Sequence, residues 1–174
     1  MQLSYLLPLL FILCLASCVR AQEVPARLKT GYPVLDQKLA TLVTADVNAL
    51  SAKEAAALEN AIFLDAREPA EYAVSHLPNA LLLGYNKPNN KLLKQLDKSR
   101  PVVVYCTVGY RSERAAAKLR KRGFERVYNL YGSLYAWKLA GLPLENADGP
   151  TNRLHTYDKN WGAFVPDSIG EKVY

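Results

Sequence analysis

Only one of the three cysteines, Cys106, lies beyond the first eighteen residues, and its neighbours suit a reactive thiol. The stretch Cys106-Thr107-Val108-Gly109-Tyr110-Arg111-Ser112 follows an apolar, β-prone run over 101–106 and opens a helix-forming pattern. A loop that leaves the C-terminal end of a parallel strand and starts a helix occupies the usual ligand position of α/β folds. Its free N–H groups and the helix N-terminus together form an anion cradle. The same field lowers a cysteine pKa from about 8.5 into roughly the 3.5–7.5 range, which makes the thiolate available as a nucleophile. Gly109 lets such a loop turn tightly, Arg111 adds a fixed positive charge, and Ser112 can cap the helix or bond the sulfur. Taken alone, a strand-end cysteine is more often a small packing hydrophobe, and it is the spacing of its neighbours that changes the reading.

Asp65 and Arg67 close another apolar run, AIFLDA over 61–66, and so border the same end of a sheet. Their spacing favours a structural ion pair that holds the loop over a catalytic role, because ion-pair networks are common. His155 lies in the tail with no obvious partner. Two histidines and one usable cysteine give no metal-ligand spacing, so neither a metal site nor a cofactor is expected.

The elements that position these residues alternate along the chain. Leu35, Leu39 and Leu42 recur at helical spacing, and Ser51-Ala52-Lys53-Glu54 matches a capping box that continues into an alanine-rich helix. After the 61–66 strand, Pro69 favours a helix start. A strand over 80–85 and a small helix around Leu92, Leu93 and Leu96 follow. Beyond the 101–106 strand, a helix over 112–122 ends at Gly123, which suits a C-terminal cap. A strand over 126–130 and a helix over 133–140, stopped by Gly141, complete the series. Alternating strands and helices without an internal repeat predict a mostly parallel sheet covered on both faces by helices. Residues 22–43 read as a tether plus the short helix. Residues 145–174 read as a turn-rich extension that packs Trp161 and Phe164 on the domain. Arg114, Lys118 and Lys121 share one helix face and Ala115, Ala116 and Leu119 the other, so the cations read as a solvated surface.

The pattern around Cys106 resembles the C-x-x-G-x-R-S active-site loop of rhodanese-like sulfurtransferases. Upstream, FLDAREPAEYAVSHLPNALLLGY resembles that family's D-x-R-x-x-x-E-Y-x-x-G-H-I-P-G-A signature. Downstream, GFERVYNLYGSLYAWKLAGLPL resembles its closing G-F-x-x-V-x-x-L-x-G-G-x-x-x-W segment. The resemblance implies a rhodanese-like three-layer α/β/α sandwich over residues 44–144, with Cys106 as catalytic residue and the loop from Thr107 to Ser112 binding substrate. It implies sulfane sulfur taken from a small sulfur-containing anion such as thiosulfate, held as a Cys106 persulfide, and passed to a thiol or a cyanide-like acceptor, a protein among them. Asp65 and Arg67 are supporting residues in that scheme, and His76 is a hydrogen-bonded structural histidine. Three positions depart from the pattern: Ser75, Asn79 and Ser133 stand where the family has glycine, and they are expected to alter local backbone rather than the cysteine loop. Six residues from Cys106 to Arg111 match the sulfurtransferase loop, whereas the related dual-specificity phosphatases use one more. The alternatives are a non-catalytic rhodanese-like binding or redox-sensing module and, less well matched, a small phosphatase or arsenate reductase.

Half of the residues are hydrophobic and 22% are charged, which excludes a disordered chain. The net charge of +6 favours anions, but no basic run alternates with aromatics, so no nucleic-acid partner is expected. The opening MQLSYLLPLLFILCLASCVRAQ reads as an export signal over 1–21. Within it, Leu15-Ala16-Ser17-Cys18 resembles a bacterial lipobox, whose cysteine is lipidated. Cys18 is therefore the expected anchor and the bacterial cell envelope the expected location, with membrane contact only through the lipid. A cut after Ala21 would instead release a soluble periplasmic or secreted protein. Export leaves Cys106 with no disulfide partner, and a lone thiol in an oxidising compartment points to reactivity.

Overall fold

A five-stranded sheet in the order β1-β5-β4-β2-β3 organises the protein. Its strands are β1 (Ala49–Leu50), β2 (Ile62–Asp65), β3 (Leu81–Leu82), β4 (Pro101–Tyr105) and β5 (Arg126–Leu130). The computed structural model describes residues 23–174, so the expected leader, with Cys18, lies outside the described residues. Every pairing in the sheet is parallel. Each connection therefore crosses over through a helix, as the alternating pattern predicts.

β4 is central and all five of its residues are buried. Alternate side chains point to opposite faces. Val103 and Tyr105 join a core with α1 (Pro33–Leu42), α2 (Ala52–Ala56) and α6 (Ser133–Leu139). Val102 and Val104 join a second core with α4 (Asn90–Gln95) and α5 (Tyr110–Lys121). The three layers are thus two helical cores on one sheet, and the fold class expected from the sequence stands. The capping box at Ser51 is formed, with Glu54 N–H donating to Ser51 Oγ at 3.3 Å and Ser51 N–H to Glu54 Oε2 at 2.8 Å.

Three expectations need correction. The stretch before α1 is no tether: Leu28 is buried in the first core, and Arg27 donates to the Ala49 carbonyl at 2.8 Å while pairing with Glu54 at 3.0 Å. The strand expected over 80–85 pairs only at Leu81–Leu82, because Gly84 turns away at φ +79° and the amides of Leu83 and Gly84 both bond the Asp65 carbonyl. The extension has regular structure of its own. It contains an antiparallel pair, β6 (Leu144–Asn146) with β7 (Gly149–Thr151), and a parallel pair, β8 (Arg153–His155) with β9 (Glu171–Val173), together with α7 (Lys159–Gly162). Leu154, Val165 and Ile169 bury into the first core, where Trp161 and Phe164 also pack.

At the C-terminal end of β2, Asp65 and Arg67 form an ion pair with both side chains fully buried. Arg67 Nη2 donates to Asp65 Oδ2 at 2.6 Å and to the Ser75 carbonyl at 2.6 Å, which ties the end of α3 (Pro69–Val74) to the sheet. Ser75 itself is extended (φ −171°, ψ 153°), a conformation open to any residue, whereas Asn79 adopts left-handed backbone at φ +58°. Removing one member of a buried pair leaves a charge without compensation. Asp65→Ala is therefore expected to cost about 3–5 kcal/mol, read as a lower urea midpoint in equilibrium unfolding.

Candidate active site

Cys106 is the first residue after β4 and is almost wholly buried. Its sulfur accepts the Gly109 N–H at 3.2 Å and lies 3.6 Å from Ser112 Oγ. The turn is possible because Gly109, at the start of α5, adopts φ +113°. A Cβ there would also meet the Val43 methyls at 3.3 Å, so both conformation and space select glycine. α6 holds the loop from behind: its first free amides, at Leu134 and Tyr135, bond the carbonyls of Cys106 and Thr107 at 3.2 Å each. Those bonds draw the carbonyls toward α6 and satisfy helix-end donors that would otherwise lack partners.

Beneath the sulfur lies a buried polar network. Ser112 Oγ is 2.7 Å from Asn129 Oδ1, and Asn129 Nδ2 donates to the Gly109 carbonyl at 3.2 Å. The Cys106 N–H donates to Ser133 Oγ at 3.0 Å, which donates onward to the Leu130 carbonyl at 3.0 Å. Ser133 therefore touches the cysteine loop directly, contrary to expectation. Its backbone takes the left-handed φ of +47° that a glycine would adopt, and its hydroxyl adds an acceptor that glycine lacks.

Arg111 is gripped by Glu71 of α3 through two parallel bonds, Nη1 to Oε2 and Nη2 to Oε1, both 2.7 Å, and Nη2 also donates to Thr107 Oγ1 at 3.1 Å. Burial pushes the Glu71 carboxyl up, but the Arg111 fork outweighs it and holds the carboxyl below its usual range. The balance at Cys106 has the same form. Burial raises the thiol pKa, yet the Arg111 charge, the amide and hydroxyl of Ser112, and the Gly109 amide together bring it below the ordinary value.

A cleft of about 520 Å³ opens onto Cys106. Thr107, Val108, Tyr110 and Arg111 line it, so the structure gathers most of the expected loop at one opening, with Gly109 and Ser112 behind the sulfur. Asp65 and Arg67 are not among its lining; they act at the base of α3. His76 is hydrogen-bonded, its Nδ1 3.0 Å from the Tyr72 carbonyl and its ring stacked on Tyr72 at 3.8 Å. His155 does have a partner: its Nδ1 accepts the Tyr157 N–H at 3.1 Å, and β8 packs against α3. Burial pushes its pKa below the usual histidine value. Asn129, Tyr157 and Trp161 belong to the site but carry no local sequence signal for it. Glu71 and Ser133 fall at defined positions of the upstream and downstream motifs, without their contacts to the loop being legible there.

These contacts set a pH dependence. The thiolate is the form favoured by Arg111, so the midpoint for alkylation of Cys106 by iodoacetamide is expected below that of a free thiol, about 8.5. Arg111→Gln removes the favouring charge, so its midpoint should move upward and its rate at neutral pH should fall.

Comparison with known proteins agrees with this geometry. The family model described as Rhodanese-like domain matches residues 47–140. A protein named Sulfurtransferase from Allochromatium vinosum is 38% identical over 91 residues, which span 52% of this chain and 84% of that protein. Thiosulfate sulfurtransferase GlpE of Actinobacillus pleuropneumoniae is 37% identical over 89 residues, 51% of this chain and 82% of the relative. Among solved structures, a rhodanese-related protein from Thermoplasma volcanium superposes with a TM-score of 0.50 at 23% identity, covering 56% of this chain and 96% of the other, a likeness of fold. With more than half of its length matched and the cysteine loop in place, the chain belongs to the family of rhodanese-like domain proteins.

Proposed function

We propose that the protein moves sulfane sulfur from an anionic donor such as thiosulfate to a thiophilic acceptor, with Cys106 as the carrier. The observation that carries this reading is the Cys106 sulfur itself: buried, bonded by the Gly109 amide at 3.2 Å, and shifted toward the thiolate by Arg111 and Ser112. In the first step the Cys106 thiolate attacks the outer sulfur of thiosulfate. A new S–S bond forms to Cys106, the donor's S–S bond breaks, and sulfite departs with the electron pair. In the second step an acceptor such as cyanide or a thiolate attacks the terminal sulfur, and Cys106 leaves as thiolate. No external oxidant or reductant is needed. The negative terminal sulfur is stabilised by the same donors that favour the thiolate, since preorganised N–H groups and a fixed cation act strongly where water is excluded. Thiosulfate as donor is supported by the name of the Actinobacillus relative, and the six-residue loop from Cys106 to Arg111 supports sulfur over phosphate.

The location proposed is the bacterial cell envelope, with Cys18 lipidated after the leader is removed; this rests on the residues Leu15-Ala16-Ser17-Cys18.

Incubation with thiosulfate is expected to add one sulfur atom to Cys106, seen by mass spectrometry, and cyanide should then release it as thiocyanate. Cys106→Ser should abolish both. Thiocyanate production at the level of that variant, with no added sulfur on the native protein, would overturn the proposal in favour of a binding or redox-sensing module. For the anchor, globomycin should cause the precursor to accumulate and fatty-acid labelling should disappear in Cys18→Ala. Persistence of the label would exclude Cys18 as the attachment point.

A further inference from the structure

We propose that Tyr157 and Trp161 form a selectivity wall that directs the Cys106 loop to sulfane-sulfur compounds with an apolar organic body, in preference to a bare inorganic dianion. The inference rests on the sulfur-transfer reading of Cys106 and names its substrate class. Both residues lie outside the family-matched stretch 47–140, in the extension, yet both line the cleft over Cys106.

Charge and space argue together. The cation at the floor, Arg111, is matched by Glu71 through two bonds of 2.7 Å, and a second carboxylate, Glu68, also lines the cleft. Two carboxylates near one guanidinium offset part of the attraction that a second negative charge would gain there, while a single charge keeps the loop amides and the cation. The volume of about 520 Å³ falls within the range of small-molecule pockets and leaves room beyond an inorganic anion. What faces that room is largely hydrocarbon: Leu42 from α1 and Val108 and Tyr110 from the loop, beside Tyr157 and Trp161.

The backbone at Tyr157 is the second, independent observation. It adopts φ +72°, a left-handed conformation that a bulky side chain rarely takes. The ring is not compensated by burial, for the residue is 55% exposed. Instead, the Tyr157 N–H is held by His155 Nδ1 at 3.1 Å, and its ring lies 5.4 Å from the Arg111 guanidinium. Glycine or asparagine would suit the turn; the tyrosine adds an aromatic face at the mouth of the site. Trp161 is fixed by its amide on Asp158 Oδ1 at 2.9 Å, by Phe164 at 5.6 Å, and by the Lys38 ammonium at 5.3 Å.

An organic thiosulfonate, R–SO₂–S⁻, fits these features, with one negative charge and an apolar R group. Cys106 thiolate attacks its terminal sulfur, the donor S–S bond breaks, and the sulfinate R–SO₂⁻ leaves with the electron pair. The test compares kcat/KM for benzenethiosulfonate and methanethiosulfonate, with thiosulfate alongside, in the full chain. Intrinsic reactivity cancels when the benzene-to-methane ratio is compared between variants. Tyr157→Gly removes the ring and suits the left-handed backbone, so its melting temperature should not fall. The ratio is expected to drop about tenfold or more, as for lost apolar contacts in a specificity pocket. Trp161→Ala should act in the same direction, and Tyr157→Phe should retain the native ratio. Sulfur reaching Cys106 with a ratio within about twofold of native in both Tyr157→Gly and Trp161→Ala would overturn the wall alone. No sulfur on Cys106 from any of the three donors would overturn the sulfur-transfer reading, and the wall with it.

Discussion

Asp65 and Arg67 meet with both side chains out of contact with water, and the rest of the site descends from that contact. The arginine spans from the end of β2 to the Ser75 carbonyl and so fixes where α3 ends. α3 carries Glu71, Glu71 orients Arg111 through a two-point grip, and Arg111 biases Cys106 toward its thiolate. None of these links is strong in isolation, because buried ion pairs repay their desolvation only when geometry and further hydrogen bonds are good. Here Arg67, Glu71 and Arg111 each have more than one partner, which converts an expensive arrangement into a positioning device. The pair contributes direction rather than reactivity.

A thiolate in a nearly closed site poses the same problem in miniature. Burying a negative sulfur without partners is costly, so the loop must supply donors and lose none of its own backbone bonds. α6 takes the carbonyls of Cys106 and Thr107, and Ser133 takes the Cys106 amide proton. The Gly109 amide is then directed at the sulfur. Asn129 lies 2.7 Å from the Ser112 hydroxyl and donates to the carbonyl of Gly109, which fixes the turn whose amide faces the sulfur. The chemistry of one atom is thus shared among β4, β5, α5 and α6.

Much of this was readable from the sequence, and the readable part is local. The β-prone run, the cysteine, the glycine that must take positive φ, and the helix start occupy adjacent positions, so their types and spacing carry the site directly. The alternation of strands and helices likewise gave the parallel sheet. What escaped has two physical causes. β1 and the pairing part of β3 are two residues each, too short for any periodicity to register. Glu71 and Arg111 are separated by 40 positions, and Tyr157 meets Arg111 across the extension, so neither contact has a local signature. Ser133 is the instructive case: as a departure from a glycine pattern it suggests only altered backbone, while its hydroxyl supplies an acceptor to the Cys106 amide.

The shared core between the two ends of the chain bears on the order in which the molecule is assembled. Leu28, Leu35 and Leu39 pack in the same cluster as Leu154, Val165 and Ile169, and Lys38 reaches over both Trp161 and Phe164. Contacts of such long sequence separation close late, because the intervening chain must first be ordered. During synthesis, the parallel sheet and the cysteine loop are complete in sequence before the segment that walls the cleft has emerged. Because the residues after 144 supply both that wall and part of the first core, removing them would open the cleft over Cys106 and weaken the packing beneath the sheet at once.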